Sequence, residues 1–458
     1  MRRVLTIFLD CAYLVVALFY LPVVVYRLIV AGRYRHGWAA RLGWVPKRYS
    51  SRPCIWLHAV SVGEVNATRT LVDRLIQQLP FYEVVVSTTT DTGYNRATRL
   101  FGPDRVFFFP LDFSCSMTLA FRRLNPALVI LVELEVWPNL TLAAKKRSVP
   151  IVVVNGRLTE RSLRRYRLAK PLTRWMFSQL DRVLVQDETY RRRFIELGVP
   201  AEKILATGSL KWDTAEIDES SLQELIRTVA RAVGIDQDKS LLVAGSTADT
   251  IEEEAIIRAY QQLRVHRPHL QLVIAPRKPE RFDQVAKLIK SRGFDVIRRS
   301  EHLDGTTLPR EASLTRSRVV LLDTLGELRQ LYALATVVIV GRTFVPFGGS
   351  DVMEIAALGK AMVLGPYTAN FADAVDKLLA HDAAIQVESS EKLASTIEGL
   401  LSDPSALERI ASRAREVVKA ERGATLRTVR QICELLGYEY DETHRGIATP
   451  QLREGPIR

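Results

Sequence analysis

Cysteine is scarce and scattered: Cys11, Cys54, Cys115 and Cys433 in 458 residues, with no C-x-x-C pair and no histidine at ligand spacing. That argues against a disulfide framework and a structural zinc site and indicates a reduced, cytosol-facing chain. Internal repeats and low-complexity tracts are missing as well. Neither G-x-G-x-x-G nor G-x-x-x-x-G-K-[ST] occurs at the strand ends considered below, which leaves dinucleotide-fingerprint and Walker-type readings without support. Acid is short relative to base: 51 Asp+Glu against 64 Lys+Arg leave a formal charge of +13. An excess of that size points to an anionic partner, whether nucleic acid, phosphorylated substrate or acidic membrane surface. What remains is ordinary: 47% hydrophobic and 25% charged residues are a globular composition, and the length suggests two or three domains.

Charge is also missing from the N-terminus. Residues 4–26 carry one charged side chain, Asp10, and Cys11 to Tyr26 carry none. A helix of that length can just cross a hydrocarbon core of about 30 Å. The flank from Arg27 to Arg48 holds six Lys/Arg (Arg27, Arg33, Arg35, Arg41, Lys47, Arg48) and no acid. Such a flank is drawn to anionic headgroups and keeps the bulk of the chain on the cytoplasmic side. Residues 1–32 are therefore expected to be a membrane anchor that spans or dips into the bilayer. A cleaved signal peptide and a buried core helix are the competing readings, the second favoured by Asp10 and Pro22.

Beyond the anchor, short β-branched or aromatic runs alternate with amphipathic stretches. The runs are 54–60, 83–88, 105–109, 127–132, 150–155 and 182–186, then 240–245, 270–275, 294–298, 318–323, 336–341 and 361–365. In 64–79, Val65, Leu71, Val72, Leu75, Ile76 and Leu79 fall on one helical face. Strands apolar throughout and separated by helices imply parallel sheets covered on both faces. The polar stretch Asp213–Ser220 reads as a linker. The expected fold class is α/β, with two Rossmann-like domains facing a cleft: residues 33–212, then 213–445, with 446–458 as a loose tail.

Candidate site residues follow the strands. Glu64, in His58-Ala59-Val60-Ser61-Val62-Gly63-Glu64, falls in a first helical turn, where it either serves as a general base or complements the helix dipole. Glu133 and Glu135 share a face if their strand continues, and Pro138 suits the first turn of the next helix. Gly245, Ser246 and Thr247, then Pro276 and Arg277 in a P-R-K-P-E-R run, suit a phosphate. Asp351 and Glu354 have capping-box spacing, or Glu354 accepts from ribose hydroxyls beside Gly348 and Gly349.

Eight motifs in order carry a resemblance: HAVSVGE (58–64), ELEVWPN (133–139), NGRLTERS (155–162), GSLKWD (208–213), AGST (244–247), PRKPERF (276–282), DTLGEL (323–328) and GPYTANFADAV (365–375). Together they resemble the 3-deoxy-D-manno-octulosonic acid (Kdo) transferases, over essentially the whole chain. The resemblance implies a metal-independent inverting glycosyltransferase of GT-B fold at the inner membrane in lipopolysaccharide biosynthesis. It would move Kdo from a CMP-Kdo donor to a lipid A precursor and would need no cofactor. Glu64 then matches the proton acceptor, and Glu133 and Lys211 match positions of transition-state stabilisation. Pro276 and Arg277, Leu325, Gly326 and Glu327, and Asp351, Val352, Met353 and Glu354 match the stretches that hold CMP.

This chain departs from that pattern at Lys278, where the family reads His, at Ser350 to Met353, and at Arg342, where it reads Gly. These changes bear on the donor more than on the fold, leaving another nucleotide sugar, or a non-catalytic membrane protein, as the alternative readings. The runs Arg161, Arg164, Arg165, Arg167, Lys170, Arg174 and Arg191–Arg193 carry no recognition-helix or RNP-type pattern, so an anionic membrane surface is preferred to nucleic acid.

Overall fold

The computed structural model describes residues 2–29, 36–48, 52–214, 219–303, 317–440 and 449–450. It divides into two compact units, residues 1–214 with 421–458, and residues 215–420.

The first unit is built on a seven-stranded parallel sheet: β1 (Cys54–His58), β2 (Glu83–Thr88), β3 (Val106–Phe108), β4 (Pro126–Val132), β5 (Ile151–Gly156), β6 (Arg182–Val185) and β7 (Ile204–Ala206). Their order is β3-β2-β1-β4-β5-β6-β7, so the direction of winding reverses between β1 and β4. The strands are Val- and Ile-rich and buried because helices cover both faces. Trp56 is fully buried in β1 and spends its one polar atom on Ser87, Nε1 donating to Oγ at 2.8 Å.

The second unit repeats the plan with β8 (Leu241–Thr247), β9 (Gln271–Pro276), β10 (Asp295–Arg298), β11 (Arg318–Leu321), β12 (Val337–Val340), β13 (Ala361–Leu364) and β14 (Ile385–Gln386). The order is β10-β11-β9-β8-β12-β13-β14, all parallel, with the reversal between β8 and β12.

Four expectations change. The domain 213–445 does not end in the second unit. From residue 421 the chain rejoins the first, because the helix Ala424–Leu436 buries Ala424, Val429, Ile432 and Cys433 in the cluster that holds Leu71, Val72 and Leu75. The condition for Glu133 and Glu135 to share a face, a strand that continues past Val132, is not met: β4 stops at Val132 and Glu133 is in the left-handed region, φ 59°. The helix expected over 64–79 is two, Val62–Ala67 and Arg69–Gln78, parted at Thr68, whose Oγ1 bonds back to the Val65 carbonyl at 3.0 Å. Gly245, Ser246 and Thr247 lie within β8 rather than after it, with a bulge at Ser246 (φ 61°).

The N-terminal helix, Arg2–Ile29, is long and apolar enough to cross a membrane: Thr6–Val23 has mean hydropathy 2.0 and is 6% buried. One side of it is docked. The Asp10 carboxylate accepts from Ser114 N at 2.9 Å and from Asn139 Nδ2 at 3.1 Å, and Tyr13 donates its hydroxyl to Asp112 Oδ2 at 3.0 Å. The other side presents Phe8, Val16, Leu18 and Phe19 to the surroundings, so this is no buried core helix. In the basic flank, Arg33 and Arg35 lie outside the described residues. So do 215–218 of the expected linker and all of the expected tail except Thr449–Pro450, which pair with Tyr438–Glu439.

Candidate functional site

In open α/β sheets, ligands bind beyond the strand ends where the winding reverses. In the first unit β1 leads there into Val60–Glu64 and β4 into Glu133. Ser61 caps the helix Val62–Ala67, its Oγ accepting from Glu64 N at 3.4 Å. The Glu64 side chain turns back over this cap: Oε2 accepts from Val60 N and Oε1 from Ser61 Oγ, both at 2.8 Å. Both readings of Glu64 are thus compatible with its position, since it completes a helix start and stands at the reversal point. Burial pushes its carboxyl up to about 7, with Glu133 and Glu135 adding to the rise and the bonds from Val60 and Ser61 opposing it.

Glu133 holds its left-handed turn by donating its N–H to Val154 O at 2.9 Å. Its carboxylate lies 3.9 Å from Lys211 Nζ. Lys211 sits on the short helix Leu210–Asp213 after β7, seated by Leu210 N on Asn155 Oδ1 at 3.1 Å. The neighbouring Trp212 is buried, and Asp213 accepts from Gly423 N and Thr425 N at the start of the returning helix. Glu135 is raised by burial and by Glu133 and is held by Trp137 Nε1 at 3.1 Å. The first unit thus gathers Glu64, Glu133, Glu135 and Lys211. A half-buried carboxylate poised near neutrality is suited to taking a proton from a hydroxyl.

In the second unit the reversal lies beyond β8 and β12. Gly245 is required there by close approach: a Cβ would meet the Tyr332 hydroxyl at 2.0 Å. Tyr332 is buried; its hydroxyl is pushed far up by desolvation and by Glu354, and a bond with Ser246 opposes the rise. Asp351 and Arg277 act on the same hydroxyl, so Ser246, Arg277, Asp351 and Glu354 converge around it. Glu354 is raised by burial and by Asp351, and pairs with Arg329 at 3.4 Å. Asp351 Oδ1 accepts from Met353 N at 2.9 Å, and Val352 rather than Asp351 holds the N-cap position of the helix Met353–Ala357, with no side-chain cap. Val352 and Met353 are buried and offer a ligand only their main chain. Pro276 ends β9, and Arg277 follows it, exposed. Leu325 and Gly326 lie on an open loop before the helix Leu328–Leu334, Leu325 73% exposed. The Glu327 carboxylate is committed to Arg299 at 2.7 Å and to the Thr324 hydroxyl. Tyr332 and Arg329 escaped sequence reasoning because they face the site from a helix whose pattern reads only as core and surface.

Residues 36–214 match the family described as 3-deoxy-D-manno-octulosonic-acid transferase (kdotransferase). The 3-deoxy-D-manno-octulosonic acid transferase of Haemophilus influenzae is 34% identical over 86% of this chain and 90% of its own length. This chain belongs to the Kdo transferase family. The Bordetella pertussis member is 32% identical over 84% of this chain and 87% of its own. Among solved structures, UDP-GlcNAc 2-epimerase from Neisseria meningitidis superposes with a TM-score of 0.57 at 12% identity, covering 83% of this chain and 100% of that one. A Rickettsia africae glycosyltransferase gives 0.53 at 12%, covering 84% and 99%. These likenesses show a GT-B-type fold. This Kdo transferase is accordingly a glycosyltransferase, with carboxylates at the reversal point of one unit and guanidinium groups at that of the other.

Proposed function

We propose that this Kdo transferase moves Kdo from CMP-Kdo to a lipid A precursor, inverting the anomeric centre. Glu64 takes the proton from the acceptor hydroxyl as its oxygen attacks the anomeric carbon. The bond to the phosphate oxygen breaks, and its electron pair leaves with CMP. Glu133 steadies the positive charge that develops on the sugar, and Lys211 offsets charge on the departing phosphate or holds the sugar's carboxylate. Arg277 meets the phosphate and Glu354 the ribose hydroxyls. The main chain at Pro276, at Leu325–Glu327, at Asp351–Met353 and at Gly245–Thr247 completes the nucleotide site. The reaction takes place at the cytoplasmic face of the inner membrane. There the N-terminal helix anchors the chain, and Leu168, 89% exposed amid the 161–174 basic run, meets an anionic lipid surface.

The observation that carries this reading is the half-buried Glu64, poised near neutrality beside Glu133 at a point where α/β sheets bind ligands. The test is transfer of radiolabelled Kdo from fresh CMP-Kdo to a lipid A precursor by wild type and Glu64→Gln. Loss of the base should cost roughly 10²–10⁴-fold while CMP binding persists. Calorimetry with CMP, UMP and GMP accompanies it. A preference for UMP would overturn the donor, and no nucleotide binding would favour the non-catalytic alternative.

A further inference from the structure

Most arginines described in the second unit around the sheet are answered by acid: Arg267 by Glu398, Arg281 by Glu253, Arg298 by Asp323, Arg299 by Glu327 and Arg329 by Glu354. Arg277 and Arg342 enter no ion pair among the described residues, although the buried Glu252 favours the charge on Arg342. They flank the β8 bulge at the reversal point. Arg277 follows β9 and donates its N–H to Thr247 O at 2.8 Å. Arg342 follows β12 by one residue, after Gly341 N has bonded to Gly245 O at 2.8 Å.

Arg342 is also strained. Its φ of 66° places a long side chain in the left-handed region, which favours glycine. The surroundings hold it there. Its N–H bonds to the buried Glu252, its carbonyl accepts from Gly349 N at 2.9 Å, and its guanidinium Nη2 donates to Phe347 O at 2.7 Å. Burial, and after it the Arg277 charge, disfavour the charged form of this guanidinium, and the buried Glu252 opposes them. Two like charges kept near one another at backbone cost call for a ligand with two neighbouring anionic groups.

We infer that Arg342, beside Arg277, is a donor-binding residue that receives the carboxylate of the activated sugar while Arg277 receives the phosphate. The inference rests on the CMP-Kdo reading above. In an activated 2-keto acid sugar the carboxylate and the phosphate ester share one carbon, so cations on the loops that follow β9 and β12, on either side of β8, can read both. A guanidinium fork suits a carboxylate bidentately.

The test uses the full-length enzyme with Arg342→Gly, which relieves the strained φ and so should fold, and with Arg342→Lys. For Arg342→Gly the expected result is a KM for CMP-Kdo raised about 10–100-fold, with the Kd for CMP by calorimetry changed less than about threefold. Arg342→Lys should recover part of the loss. Equal weakening of CMP and CMP-Kdo would place Arg342 on the phosphate and overturn the assignment, as would an unchanged KM. If wild type itself neither binds CMP nor transfers Kdo, it is the donor reading that fails.

Discussion

Lys211 Nζ lies 3.9 Å from Glu133 Oε1, with both side chains about a quarter exposed. That is the loose end of an ion pair, so Lys211 can turn toward charge developing on a ligand without leaving a buried partner. Glu133 in turn faces Glu64 and Glu135. Lys211→Ala and Glu133→Ala should each lower kcat by about 10²–10³-fold. The double variant should lose less than the product of the two, because the two side chains lie within 3.9 Å of each other and are proposed to act on one centre. The cycle is measured by Kdo transfer under saturating donor.

Glu64 gives a pH dependence of determinate sign. Its ordinary carboxyl value of 4.5 rises to about 7, chiefly through burial, and in the proposed role of base it works only when ionised. Transfer should therefore climb through about pH 7 as this carboxyl ionises, which a pH–rate profile at saturating donor checks.

The same shift bears on stability. The folded chain binds this proton more tightly than the unfolded one, so stability falls as pH rises from about 4.5 to about 7. Glu64→Gln removes that loss. Its melting temperature should exceed that of wild type at pH 8 and equal it at pH 4. A scan at both values checks the prediction, and a variant less stable at pH 8 would mean that the bonds from Val60 and Ser61 outweigh the desolvation of the charge.

Both sheets were legible because strands covered on two faces must be apolar throughout, and such runs stand out. What escaped depends on partners distant in sequence. Nothing local to 424–436 says that Leu71 and Leu75 are what its apolar residues cover. The motif GSLKWD is contiguous in sequence and divided in fate: Lys211 meets Glu133, Trp212 fills the core, and Asp213 receives the returning helix. Strand alternation would put Glu133 and Glu135 on one face only if the strand continued, and a single left-handed residue ends it at Val132. The bland and the sharp readings of Glu64 describe one geometry, because the turn that caps the helix also carries the carboxylate to the reversal point.

Asp10 is the one charge in an otherwise apolar stretch, and its partners account for it: Ser114 N begins one helix, and Asn139 belongs to the first turn of another. Asp10→Ala should leave membrane partitioning intact, since that depends on the apolar length. It should cost the first unit about 1 kcal/mol, the usual value of a lost helix-start acceptor. Flotation and thermal melting in detergent separate the two effects. Release of the variant from membranes would show that docking, rather than hydrophobicity, secures the helix.

The returning helix should be read out by tryptophan. All six tryptophans (Trp38, Trp44, Trp56, Trp137, Trp175, Trp212) precede residue 215, so their fluorescence reports on the first unit alone. Ile432, fully buried beside Leu75, should cost that unit about 2–5 kcal/mol when cut to alanine. Asp213→Ala, which strips the acceptor from Gly423 N and Thr425 N, should cost about 0.5–2 kcal/mol. Both variants should lower the urea midpoint seen by tryptophan, in that order of severity, with the Kd for CMP held within about threefold. A midpoint unmoved by Ile432→Ala, together with weakened CMP binding, would instead place residues 424–436 with the second unit.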